Sequence, residues 1–158
     1  MYDRAMQTLY ALALEPVAES IGDNISFGFR KGRSAKDACE QIFSVLARKC
    51  SPTWILEGDI KGCFDNINHN WLQENIPMDK RIMKQFLESG FVYKGTLFPT
   101  EKGSPQGGAI SSLYANMTLD GLEKLIQDKY HRNSKSNIEN HYRAKTKVNL
   151  VRYCYAAH

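Results

Sequence analysis

The chain has 158 residues, 42% hydrophobic and 24% charged, with a formal net charge of +4. This composition fits one globular domain or part of a larger one and excludes collagen-like, mucin-like and disordered chains. No stretch approaches the ~20 consecutive apolar residues of a membrane span, Met1-Tyr2-Asp3-Arg4 lacks a signal-peptide layout, and a cytoplasmic protein is expected.

From Asp3 to about Ile21, Met6, Leu9, Tyr10, Ala13 and Val17 recur at three- and four-residue steps, which predicts an amphipathic helix with Pro16 as a kink or break. The loop Ser26 to Arg33 follows, and Ser34 with Asp37 has the spacing of a capping box, opening a second helix to about Lys49. Thr53 to Asp59 is apolar and β-rich at its start and reads as a strand. Short helices are expected over 68 to 75 and 79 to 89, the second ended by Gly90. Gly95, between Phe91-Val92-Tyr93 and Thr96-Leu97-Phe98, predicts a hairpin. Gly103-Ser104-Pro105-Gln106-Gly107-Gly108 is too rich in glycine and proline for regular structure. Ala109 to about Tyr130 reads as one long helix, His131 to Lys147 as a mobile loop, and Val148 to Tyr153 as a strand.

Positive charge is concentrated. Arg30, Lys31, Arg33 and Lys36 lie within nine residues containing no acid, and residues 129 to 147 carry six basic side chains against Glu139. Such clusters suit a polyanion, although a basic run is also an ordinary solvated face. The four cysteines, Cys39, Cys50, Cys63 and Cys154, have neither zinc-site spacing nor disulfide-scaffold density, so free, mostly buried thiols are expected.

Asp59 stands at the end of the expected strand 53 to 59, where a carboxylate projects into the crevice in which hard cations such as Mg²⁺ find oxygen ligands. An aspartate there also serves as a helix cap or turn residue. The conjunction carries more: Asp59, Phe64-Asp65, Ser104 to Gly108 and Val151-Arg152-Tyr153 occur in this order at consistent spacing. With Asp3 to Gln7, Leu14-Glu15-Pro16, Phe27 to Ser34, Gly58 to Ile67, Gly103 to Gly108 and Ala115 to Glu123, the sequence resembles the reverse transcriptases encoded by group II introns, the intron maturases.

The resemblance implies an α+β, right-hand polymerase fold, here a partial one in which residues 1–158 form a fingers and palm core. By the match, Asp59 is a catalytic, metal-binding aspartate and the carbonyl of Ile60 a further metal ligand, for two Mg²⁺ ions that promote attack of a primer 3′-hydroxyl on an incoming deoxynucleotide. Phe64 matches the ring that excludes a 2′-hydroxyl, Gln106 the contact to the nucleotide's sugar and triphosphate, and Gly107 and Gly108 the backbone beside the base pair. Arg30, Lys31 and Arg33 match the fingers stretch along template or nucleotide phosphates, and Arg30 also suits an ion pair with an acid of the neighbouring helix. RNA template, intron RNA, DNA primer and deoxynucleotides are the implied partners, with no membrane.

One motif departs from the pattern. Where the family carries Tyr-x-Asp-Asp, this chain reads Tyr153-Cys154-Tyr155-Ala156-Ala157-His158, with no aspartate in either alignment. Weak or absent Mg²⁺ binding and no polymerisation by the chain alone are therefore expected. The thumb and any C-terminal domains are expected to be absent, and the domain to be cut short. A catalytically silent RNA-binding module is the competing reading, and a homodimer formed through an apolar surface the third.

Overall fold

The Ser34 signal is realised atom by atom. Ser34 Oγ accepts the Asp37 N–H, and the Asp37 carboxylate accepts the Ser34 hydroxyl at 2.7 Å and the Ser34 N–H at 2.6 Å, two bonds that hold its carboxyl below its ordinary pKa. The computed structural model describes residues 2–49, 51–98, 100, 102–104, 108–130 and 148–153. Along them run α1 (Tyr2–Ile21), α2 (Ala35–Leu46), α3 (His69–Asn75), α4 (Lys80–Glu88), β1 (Phe91–Tyr93), β2 (Thr96–Phe98), α5 (Ser111–Leu119) and α6 (Leu122–Tyr130). The helix α1 continues through Pro16. Asn68 and Asp79 cap α3 and α4, each accepting two backbone N–H groups at the helix start. The hairpin is antiparallel with Val92 opposite Leu97, and its turn takes Lys94 and Gly95 to φ 48° and 81°, as a two-residue primed turn requires.

Two compact units are present, one built from Met1–Gly22 and Gly58–Leu119, the other from Asp23–Glu57 and Asp120–Tyr155. The first holds the apolar core. Leu14 and Ala18 of α1, Leu72 of α3, Met83 and Leu87 of α4, and Tyr114, Ala115 and Met117 of α5 pack together with Ile67, Ile76 and Ile110. Each large side chain so buried contributes roughly 1.5–3 kcal/mol. Tyr10 and Phe86 meet edge to face at 5.8 Å, and Tyr114, wholly buried, donates its hydroxyl to Met78 Sδ at 3.2 Å. Burial pushes the Tyr114 phenol pKa far up.

The second unit has fewer buried apolar groups, Phe27 and Ala38 among them, and is tied by polar contacts. Residues 25 to 27 run parallel to Arg152, with Arg152 N–H donating to the Ile25 carbonyl and Phe27 N–H to the Arg152 carbonyl, both at 2.9 Å.

Four expectations are corrected. The single helix over 109 to 130 is two, because Gly121 takes φ 88° and its N–H turns to the Asp23 carboxylate, leaving the helical ladder. Thr53 to Asp59 is irregular, with Trp54 91% and Leu56 97% exposed: strand propensity reflects packing against cross-strand neighbours, and no described residue pairs with this segment. Val148 to Tyr153 forms one bridge, at Arg152, in place of a strand, since only residue 26 is opposite it. Cys39 is exposed and Cys63 half-buried, because α2 turns Cys39 away from buried Ala38. The described residues are mostly helical, and among them no palm sheet forms. The expected loop 131–147 lies outside the described residues.

Candidate functional site

The first unit brings the Phe64 turn to the start of the glycine-rich loop. Gly62, at φ 61°, reverses the chain after Asp59, and its carbonyl accepts the N–H groups of Asp65 and Asn66 and the Asn66 side-chain amide at 2.9 Å. This winds Phe64–Asn66 into a 3₁₀ turn with the Phe64 ring half-buried. Two backbone bonds then join segments almost forty residues apart: Ser104 N–H donates to the Phe64 carbonyl at 2.8 Å and Gly103 N–H to that of Ile67 at 2.9 Å. Gly103 has φ 82°, and a Cβ there would stand 2.7 Å from both the Phe64 and Asp65 carbonyl oxygens, so only glycine permits this approach. Ser104 Oγ is buried with no partner among the described residues. Asp59 and Ile60 are exposed, and Gly108 is half-buried. Gln106 and Gly107 lie outside the described residues.

The second unit organises the basic loop. Arg30 donates to the carbonyls of Asp23 at 2.5 Å and Ser26 at 3.3 Å, and Arg33 to those of Asn24 at 2.5 Å and Ser26 at 3.1 Å while lying over the Phe27 ring. These two guanidinium groups therefore shape the 23–26 turn, and the acid of a neighbouring helix is not what Arg30 binds in these contacts. Lys31 is exposed.

Sequence reasoning missed the cluster beneath this loop. Arg152, 9% exposed, meets the Asp120 carboxylate at 2.5 Å, Ser26 Oγ at 2.9 and 3.0 Å, and Asp23 Oδ2 at 3.9 Å. An arginine among the apolar residues of Val148–Tyr153 was the available signal, since a buried cation demands a carboxylate.

A two-metal centre needs several oxygen ligands converging within coordination distance. Among the described residues no three His, Cys, Asp or Glu side chains gather closely enough to hold a metal ion. The described residues thus do not fit the Mg²⁺ pair that the motif around Asp59 implies; residues 154–158 lie outside them. Nor is any described helix long and apolar enough to cross a membrane.

Comparison with known proteins decides the lineage. Residues 1–155 match the family model described as reverse transcriptase (RNA-dependent DNA polymerase). The chain belongs to the reverse transcriptase family. It is 34% identical over 151 residues to the group II intron-encoded protein LtrA of Lactococcus lactis subsp. cremoris, covering 89% of this chain and 24% of LtrA. Protein YkfC of Escherichia coli is 31% identical over 137 residues, 81% of this chain and 36% of YkfC. An uncharacterised 91 kDa protein in the cob intron of Schizosaccharomyces pombe is 33% identical over 132 residues, 80% of this chain and 16% of that protein. This reverse transcriptase sequence is of the group II intron type, and the chain spans about a quarter of the length of LtrA.

Proposed function

We propose that residues 1–158 form the nucleotide-facing part of an RNA-directed DNA polymerase, with a partial fingers and palm architecture, from a protein that copies RNA into DNA and assists splicing of its intron. The observation that carries this reading is the joining of the Phe64 turn to Gly103–Ser104, because it unites the two motifs that would select and hold a deoxynucleotide. In this reading the Phe64 ring lies under the sugar and leaves no room for a 2′-hydroxyl. Gln106 and the backbone of Gly107 and Gly108 contact groups that both kinds of nucleotide share. Arg30, Lys31 and Arg33 line the path of template or nucleotide phosphates, the two arginines also donating to carbonyls of the 23–26 turn. The α+β sheet of the palm arises when the exposed segment 53 to 59 finds strand partners in the whole protein.

With no aspartate at 153 to 158, the chain as given binds and does not polymerise. That absence also favours the second reading, an RNA-binding module without catalysis.

The test is nucleotide discrimination. Titrated against the chain at constant free Mg²⁺ and followed by backbone NMR shifts near Phe64, dUTP should bind roughly tenfold more tightly than UTP, since the two differ only in the 2′-hydroxyl and exclusion of one small group by shape is worth about 1–3 kcal/mol. In Phe64→Ala the two affinities should converge. An unchanged ratio in a folded variant would make Phe64 an ordinary packing residue and leave the RNA-binding module standing.

A further inference from the structure

The loop that carries Gln106 is fastened at both ends by side chains with no role so far. At its start, His69, the first residue of α3, places Nε2 2.5 Å from the Gly103 carbonyl. A carbonyl oxygen only accepts, so Nε2 carries the proton and donates it. The same residue pair is locked from the other side by Gly103 N–H on Ile67 and Ser104 N–H on Phe64. At the loop's far end, Gln7 of α1 offers Oε1 to the Ala109 N–H at 3.0 Å, just before α5 begins. Gln7 lies 102 positions from Ala109 and His69 lies 34 from Gly103, so neither contact is a local turn bond. Both cost side-chain ordering, and the group each immobilises is backbone adjoining the loop.

We propose that His69 and Gln7 are positioning residues for nucleotide selection: His69 fixes the Gly103–Ser104 end against the Phe64 turn, and Gln7 fixes the Ala109 end. The two ends have different consequences. Because Ser104 is bonded to the Phe64 carbonyl, releasing the His69 end lets the ring move relative to the loop and blurs the distinction between sugars. Releasing the Gln7 end leaves the Phe64 turn intact and loosens the loop from the Ala109 side. Gln106 itself is at most about 7 Å of chain from Ser104, so either release reaches it. The proposal rests on the nucleotide-site reading given above.

The experiment uses the intact chain and four variants. His69→Phe keeps a ring and removes the donor, His69→Gln keeps a donor, Gln7→Leu removes the acceptor, and Gln7→Glu keeps one. Amide hydrogen exchange is read at Gly103, Ser104 and Ala109, with the buried Tyr114 amide of α5 as the internal reference, and dUTP and UTP affinities are read at constant free Mg²⁺. Exchange should quicken roughly tenfold at Gly103 and Ser104 in His69→Phe and at Ala109 in Gln7→Leu, the size of one lost hydrogen bond, with Tyr114 unchanged. His69→Phe should lower the dUTP-to-UTP ratio about three- to tenfold, whereas Gln7→Leu should weaken both nucleotides alike; His69→Gln and Gln7→Glu should recover the parent values. Unchanged exchange overturns the anchors themselves. Quickened exchange with both nucleotide affinities at parent values makes them structural ties and overturns the positioning role. If the unmodified chain shows no nucleotide-dependent shift, the nucleotide-site reading fails and the positioning role with it, while the exchange arm still decides whether the anchors exist.

Discussion

Arg152 shows what one buried cation does in a unit with little apolar core. Its guanidinium gathers Ser26, 126 positions away, and Asp120, with Asp23 at 3.9 Å. Removing one partner of such a cluster leaves the others buried and uncompensated, which is costlier than the net worth of the pair. Arg152→Met is expected to destabilise the chain by about 3–5 kcal/mol, read from the urea midpoint by far-UV circular dichroism. Arg152→Lys should recover only part of this, because a lysine cannot reproduce the fork that reaches Ser26 and Asp120 together. A loss below the size of one surface ion pair would mean that Arg152 is not buried in solution.

Between α5 and α6 the chain obeys tertiary demand over periodicity. Asp120 faces Arg152 and the Gly121 N–H donates to Asp23 Oδ1 at 3.1 Å, so the interruption serves the buried cluster. Gly121 and Gly103 both have positive φ, yet a Cβ at Gly121 meets nothing within 4 Å while one at Gly103 strikes backbone. Gly121→Ala therefore carries only the backbone penalty of the left-handed region, about 1–2 kcal/mol, and should lower the urea midpoint with an unchanged slope. Gly103→Ala should cost clearly more, since the Phe64 turn must move. Equal losses in the two variants would contradict the close approach at Gly103.

For the molecule as a whole, association with RNA is expected to be driven by phosphate neutralisation and to fall steeply with salt. Lys31 is the cleanest reporter in the basic loop, being exposed, whereas alanine at Arg30 or Arg33 would also loosen the 23–26 turn. In filter-binding titrations, Lys31→Ala should reduce the salt slope by about one and weaken unrelated RNA sequences equally. A slope equal to that of the parent would assign Lys31 to solvated surface.

Local chemistry was legible in the residues themselves. The capping box at Ser34 and Asp37 and the hairpin turning at Gly95 depend on contacts within a few positions, which spacing alone specifies. Family membership was legible too, because the strings around Asp59, Phe64 and Gln106 are read without a fold and match along residues 1–155. The strand expected at 53 to 59, the unbroken helix from 109 to 130 and the roles of Asp23, Gln7, His69 and Arg152 were not. Each of these depends on a partner distant in sequence: a strand requires another strand to satisfy its N–H and C=O groups, and a helix yields where a buried arginine needs the carboxylate of Asp120. Long-range pairing is a property of the folded chain, so only the tertiary structure decided them.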